Sequence, residues 1–518
     1  MGTSGMNPAG APPSGGSRNG KEGERISISD LMKASGVAFG TSGARGLADD
    51  ITDRIAFAYT TGFLQYLMGK GEIKRGDAVA IAGDLRPSTE RIMTAVGMAV
   101  TFMELNVVNL GLIPSPAATL YGIDNKMPSI MVTGSHIPAD RNGIKFNKIA
   151  GEILKDDEAA MKKEIVTIPA IFDGKGAFVE NAVMALPSVL PDGEDNFVKR
   201  YVDLFGPNPL RGKRIGVYQH SAVGRDMLVS VLRSLGADVW GIRRSKEFVP
   251  VDTEAVREED VRLAPRWAVT YGVDAIVSTD GDSDRPLIAG RDGKWLRGDV
   301  LGILVAKYLG ADSVSTPVSS NTGVELVDIF PKISRTRIGS PYVIAAMLDA
   351  VAAGFKRVVS YEANGGFLTA TDMEVNGRKL TALPTRDSFL PILAALMLAK
   401  KEGVGVEDLV ANLPQRFTWS DRIKNFPQER SQAILAMFNT GEEAVDRANI
   451  DRHFGNYFGS IANIDHTDGV RITFGDGRIV HLRPSGNAPE FRAYTEAKSE
   501  AEAVQMNRLV LELVGGMQ

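Results

Sequence analysis

The chain has 518 residues, 44% of them hydrophobic and 24% charged, with a formal net charge of −4 and no cysteine. That length holds three or four domains; the acidic balance argues against a nucleic-acid partner, and the missing thiols exclude disulfides, thiolate nucleophiles and Cys-type zinc sites. No stretch approaches the ~20 uninterrupted apolar residues of a membrane span, so no membrane partner is expected and a cytoplasmic location is.

Residues 1–25 are rich in Gly, Pro and Ser and lack the apolar stretch of a signal peptide, so they read as a disordered leader. One local pattern then recurs three times. The helical-looking "IMTAVGMAVTFMELN" precedes the apolar run "MPSIMV", which ends in Gly134-Ser135-His136. "DVRLAPRWAVTYG" precedes "VDAIVST", which ends in alternating carboxylates. "YVIAAMLDAVAAG" precedes "FKRVVSY", which ends in Glu-Ala-Asn-Gly-Gly. Helix, buried strand and polar loop in succession predict mixed, mostly parallel sheets, with ligands gathering at the carboxyl ends of the strands. Past "NLPQRFTWSD" the pattern changes to short alternating strands with Asp-Gly turns, followed by the amphipathic "SEAEAVQMNRLVLELVGG". The expected domains are α/β over 26–185, 186–299 and 300–415, and α+β over 416–518.

"TDGDSDRP" sets Asp280, Asp282 and Asp284 at period two on one turn. Three such carboxylates repel one another unless a cation sits among them, and a hard divalent ion suits an all-oxygen set. A calcium EF-hand is excluded, because Arg285 stands where that loop needs Gly and Arg291 where it needs Glu. "RPSGNAPEFR" offers Arg483, Ser485, the amides around Gly486, and Asn487; alone it is either a phosphate clamp or a plain turn. "YEANGGF" places Glu362 and Asn364 beside two glycines, a pair able to bond sugar hydroxyls or to form an ordinary loop. "FGTSGARG" and "GDLRPST" are glycine-rich and carry arginine, but neither is a Walker loop or a dinucleotide fingerprint. In "VTGSHIPADRNGIKF", Ser135 and His136 are adjacent, and neighbours on an extended segment point to opposite sides. The stretch also lacks a GxSxG elbow, which disfavours a Ser-His hydrolase. Lys145, ten residues on, could fold back on the serine as an acid, base or electrostatic helper.

These motifs, in this order from about Phe39 to Ala497, resemble the α-D-phosphohexomutase superfamily. The resemblance implies four domains around a central cleft, three α/β and a smaller α+β one. It implies that Ser135 carries a phosphoryl group, and that Asp280, Asp282 and Asp284 hold one Mg²⁺ per chain together with an oxygen of phosphorylated Ser135. Arg285 matches the arginine beside the metal, and Arg45, His136 and Lys145 match residues around the phosphoserine. Glu362 and Asn364 match the sugar-hydroxyl loop, Gly339 in "TRIGSPY" a second selecting loop, and Arg483, Ser485, Gly486 and Asn487 a distal phosphate clamp. This sequence departs from common family patterns at Asn364, Tyr361, Ser340 and Asn487, all of which bear on which sugar is chosen.

The reaction implied is reversible phosphoryl transfer between C6 and C1 of a small-molecule hexose phosphate, through a bisphosphorylated sugar. A hexose 1,6-bisphosphate would serve as activator, and the protein would be a monomer or homodimer. Mannose 6-phosphate to mannose 1-phosphate is the reaction expected, with glucose phosphate and then glucosamine phosphate as alternatives. A metal-dependent phosphatase and a silent sugar-phosphate binder are the competing classes.

Overall fold

A computed structural model of the chain describes residues 23–40, 43–485 and 489–517. Most of the expected leader, and Gly486 and Asn487 of the expected clamp, lie outside the described residues. The first strand, Glu24–Ser27, pairs antiparallel with Ile165–Ile168 and so takes in Glu24 and Arg25, which composition alone assigns to the leader.

The three apolar runs form the strands Ser129–Val132, Ala275–Thr279 and Val358–Tyr361, and every residue in them is buried. Each pairs in parallel with an earlier strand of its own sheet: Ala78–Gly83, Arg214–His220 and Ser313–Pro317 respectively. Strands covered on both faces need continuous apolar sequence, which is why these runs show no alternation. The expected helices Glu258–Tyr271 and Ser340–Ala352 directly precede the second and third of these strands, whereas the expected helix Thr89–Phe102 is separated from Ser129–Val132 by the strand Asn106–Leu112 and the helix Ser115–Asp124.

After each run the chain reverses into an antiparallel return strand: Arg141–Lys148, Pro286–Gly290 and Phe367–Thr369. Each polar motif is therefore the tip of a hairpin at the carboxyl end of a parallel strand. The three sheets share one apolar core, in which Leu120, Phe197, Ile215, Leu304 and Phe389 meet. That shared core fixes the first three hairpin tips relative to one another.

The five-stranded C-terminal sheet is antiparallel throughout, in the order Phe417–Lys424, Glu490–Ala497, Ile479–Pro484, Val470–Phe474, Ile461–Asp465. It packs under the helix Glu500–Gly516 around its own core of Phe438, Phe454, Ile472, Phe491 and Val510. The Asp-Gly turns are present, with Gly469 and Gly477 at φ 79° and 88°, the left-handed region that glycine enters freely. No helix among the described residues is long and apolar enough to cross a membrane.

Candidate active site

Ser135 sits at the tip of the first hairpin, fully buried, with φ 56°. A serine in left-handed backbone is uncommon and persists only when its surroundings hold it. Here the restraint comes mainly from Arg86. Its Nη2 donates to the carbonyls of Ser135 (2.8 Å) and Ile137 (2.6 Å), and its Nη1 to those of Pro138 (2.6 Å) and Arg141 (2.9 Å). The guanidinium is balanced by Asp84, 3.1 Å from Nε, and Asp84 also accepts from Thr89 and Thr133. The Phe248 ring, 4.0 Å from the Arg86 Cζ, stacks on the guanidinium. Arg86 lies in "GDLRPST", where nothing in the sequence indicates that the arginine bonds four carbonyls of another loop.

The left-handed turn changes one sequence argument. Ser135 and His136 are not on an extended segment, and Ser135 Oγ comes within 3.4 Å of His136 Nδ1. That nitrogen nevertheless accepts from Arg285 Nη1 at 2.8 Å, so its lone pair is already engaged. Burial, then the Arg285 guanidinium, pushes His136 down to about 3, leaving the ring neutral. The shorter bond of Ser135 Oγ goes elsewhere: it donates to Asp280 Oδ2 at 2.6 Å, across 145 residues of sequence.

Asp280, Asp282 and Asp284 are all buried, each with one ligand oxygen within 4.8 Å of the others'. Burial, then the charges of Asp282 and Asp284, pushes the Asp280 carboxyl well above its usual range. Burial also works against Asp282, but the Lys145 ammonium outweighs it and holds that carboxyl below the usual range. Lys145 Nζ donates to Asp282 Oδ2 (2.6 Å) and Asp284 Oδ2 (2.7 Å). Burial disfavours that ammonium, and the two carboxylates more than compensate, so its pKa is raised. Ser115, at the start of the helix Ser115–Asp124, donates to Asp282 Oδ2 at 2.6 Å. Asp282 Oδ1 and Asp284 Oδ1 have no hydrogen-bond partner among the described residues. Buried, unpartnered carboxylate oxygens in an all-oxygen cluster fit a hard divalent cation. Arg285 Nε lies 3.6 Å from Asp284 and 4.0 Å from Asp280. Arg45 Nε has no hydrogen-bond partner among the described residues, and burial, then Arg285 and Arg386, lowers that guanidinium to about 10. A buried donor of this kind is suited to an anion.

The third hairpin brings Glu362 to the same place. Its Oε1 accepts from Arg386 Nη1 at 3.3 Å, and Arg386 also bonds Asp284. Asn364 turns partly inward: its Oδ1 accepts from Gly366 N at 2.9 Å, and its Nδ2 reaches Glu362 Oε2 at 3.4 Å. Arg386 carries no motif in "PTRDSF", and neither it nor Ser115 is recognisable from sequence.

Gly339, at φ 131°, opens the helix Ser340–Ala352. Between its loop and the C-terminal sheet lies a cavity of about 220 Å³ lined by Arg337, Tyr342, His466, Asp468 and Arg483. Arg483 Nε donates to Asp468 Oδ1 at 3.0 Å, and Asp468 Oδ2 accepts from the Ile338 amide at 2.9 Å. Ser485 is buried beside it, its amide donating to the Glu490 carbonyl at 2.8 Å. Ser135, Lys145, Arg285, the aspartates and Glu362 thus share one buried cluster, with His136 and Arg45 half-buried at its edge. Arg483 lines a separate cavity, together with Ile338, the neighbour of Gly339.

Family models described as phosphoglucomutase/phosphomannomutase match residues 36–170 (alpha/beta/alpha domain I), 297–417 (alpha/beta/alpha domain III) and 427–513 (C-terminal domain). A phosphomannomutase of Salmonella muenchen is 42% identical over 483 residues, covering 93% of this chain and 96% of its own. The fold resembles a crystal structure of a phosphoglucomutase/phosphomannomutase family protein from Burkholderia thailandensis, with TM-score 0.68, 17% identity, and coverage of 95% and 99% of the two chains. It also resembles the Aspergillus fumigatus N-acetylphosphoglucosamine mutase in complex with GlcNAc-6P and magnesium, with TM-score 0.58, 14% identity, and coverage of 94% and 98%. With three mixed α/β sheets, a C-terminal α+β unit and a relative this similar over nearly its whole length, the chain belongs to the phosphoglucomutase/phosphomannomutase family of enzymes.

Proposed function

We propose that this chain is a phosphohexomutase that moves a phosphoryl group between C6 and C1 of mannose phosphate, with Ser135 as the carrier. The carrying observation is the 2.6 Å contact of Ser135 Oγ with Asp280, which puts a hydroxyl nucleophile against a cation-ready cluster from another sheet. The choice of mannose is supported by the 42%-identical relative named phosphomannomutase.

In this reading the phosphoryl on Ser135 passes to the free hydroxyl of the substrate. The P–Oγ bond breaks as the new P–O bond forms, giving a bisphosphorylated sugar. The sugar then turns over, and Ser135 Oγ attacks the phosphoryl at the opposite end. Such transfers depend on positioning and charge neutralisation more than on covalent chemistry. Arg285 and Arg45 supply positive charge to the phosphoryl oxygens. Lys145, held as an ammonium by Asp282 and Asp284, adds to it. His136, neutral and accepting from Arg285, holds that guanidinium beside the phosphoryl group, and the hydroxyl proton ends on Ser135 Oγ as its bond to phosphorus breaks. Asp280, Asp282 and Asp284, with an oxygen of phosphorylated Ser135, would hold one Mg²⁺, which when bound offsets negative charge on the transferring group. Glu362 and Asn364 read sugar hydroxyls. Arg483 and Ser485, with Gly486 and Asn487, clamp the distal phosphate and supply binding energy remote from the chemistry. Closure of the C-terminal unit over the cleft keeps water from the phosphoserine.

The test is a coupled assay of mannose, glucose and glucosamine phosphates, each with and without its 1,6-bisphosphate. Bisphosphate-activated turnover is expected, fastest with mannose phosphate and abolished in Ser135→Ala. Release of inorganic phosphate without isomerisation would make the protein a phosphatase instead, and near-normal turnover of Ser135→Ala would remove the serine from the mechanism.

A further inference from the structure

Arg386 lies on the strand Leu383–Asp387, 2% exposed, between the two loops that the functional reading above uses for metal and sugar. Its Nε donates to Asp284 Oδ2 at 3.1 Å, its Nη2 lies 2.9 Å from the same oxygen, and its Nη1 donates to Glu362 Oε1 at 3.3 Å. Burial disfavours the charge, yet Asp284 and then Glu362 hold the guanidinium well above its ordinary pKa. Its charge repels Lys145, Arg285 and Arg45, so the carboxylates of Asp284 and Glu362 are what make the site favour it. A residue serving packing alone would not need that charge.

The contacts select particular oxygens. Lys145 takes Asp282 Oδ2 and shares Asp284 Oδ2 with Arg386, while the Oδ1 atoms of both aspartates have no hydrogen-bond partner among the described residues. The guanidinium also occupies one oxygen of Glu362 and leaves the other near Asn364. The loop is shaped around this side chain: a Cβ on Gly366 would come 2.6 Å from Arg386 Cδ and 2.7 Å from Cγ. The second glycine of "EANGG" therefore makes room for the arginine stem.

We propose that Arg386 is a positioning residue that couples the cation cluster to the sugar-reading loop. Its fork orients Asp284 toward the cation and Glu362 toward the sugar hydroxyls, and it sets the spacing between the two. This inference rests on the mutase reading, because it concerns how that reading's two loops are registered. Only a planar fork spans both carboxylates; a lysine keeps the charge but reaches one of them.

The experiment uses the full chain with Arg386→Gln and Arg386→Lys. Mg²⁺ is titrated calorimetrically into protein free of phosphate and sugar, and KM and kcat are measured in the coupled assay. Arg386→Gln leaves Asp284 without the group that orients it toward the cation, so the Mg²⁺ Kd is expected to weaken by about tenfold. The KM for mannose phosphate is expected to rise about tenfold or more as Glu362 loses its partner. Arg386→Lys is expected to keep the Mg²⁺ Kd within about twofold of wild type while KM stays raised, which separates charge from fork. If Arg386→Gln does not fold, the Arg386→Lys result alone decides. Unchanged KM in Arg386→Lys, or unchanged Mg²⁺ Kd and KM in Arg386→Gln, overturns the coupling. A wild-type protein that neither binds Mg²⁺ nor turns over any hexose phosphate would overturn the mutase reading itself.

Discussion

Two histidines far apart in the molecule share one arrangement. His220 faces the Thr279 carbonyl through Nε2 at 2.8 Å, and His481 faces the Asp468 carbonyl through Nε2 at 2.5 Å. Both rings are buried, and neither Nδ1 has a hydrogen-bond partner among the described residues. Protonation would place a buried N–H⁺ with nothing to accept it, so burial lowers each to about 4 from an ordinary 6.5. The folded pKa lies below the unfolded one, so the unfolded chain binds the proton first as pH falls. The contribution to stability is complete above about pH 6.5 and is lost on the way down to about pH 4. The slope is about 1.4 kcal/mol per pH unit for each histidine. Thermal melts from pH 7.5 to pH 5 should show a falling Tm, and the double variant His220→Asn/His481→Asn should lose most of that dependence. A double variant with an unchanged pH dependence would assign the loss to other groups.

At the level of elements, three hairpin tips at the carboxyl ends of parallel strands carry the polar motifs. The parallel strands were legible because they are short, apolar and end abruptly in charge. Asp280, Asp282 and Asp284 were legible because like charges at period two need a reason. The return strands were not, because Arg141–Lys148 carries alternating polar residues that become buried only through their partners. Arg86, Ser115 and Arg386 share that invisibility: each acts through a contact with a different part of the chain, and no local pattern encodes such contacts. The burial of Ser135 depends on Arg86 in this way. Arg86→Ala would strip four carbonyls of their donor and leave Asp84 fully buried without its ion-pair partner. Breaking one side of a buried pair costs about 3–5 kcal/mol. Urea denaturation should show a loss on that scale, with turnover reduced well beyond the loss of folded protein. A variant destabilised by less than about 1 kcal/mol would mean that Arg86 does not hold the loop.

Across the whole molecule, one apolar core joins the first three sheets, whereas polar contacts join the C-terminal unit to them. Glu496 of that unit accepts from the Thr322 hydroxyl and from the Thr322 amide at 3.2 Å, and Asp468 reaches the Ile338 amide. Such junctions part more easily than apolar cores, which fits a unit that admits a hexose phosphate and then closes over it. The four-part organisation was visible in sequence as a change from buried runs to alternating strands. The cavity beside Arg483 was not, because its walls come from two sheets more than a hundred residues apart. The proposed mechanism depends above all on Ser135 as a carrier of phosphoryl. The direct measurement is intact-mass and peptide-mapping spectrometry of the full chain after incubation with mannose 1,6-bisphosphate, then after a chase with mannose 1-phosphate. One phosphoryl group is expected on Ser135, discharged by the chase into the sugar without release of inorganic phosphate. A chain that takes up no phosphoryl group, or takes it up on another residue, would contradict the account.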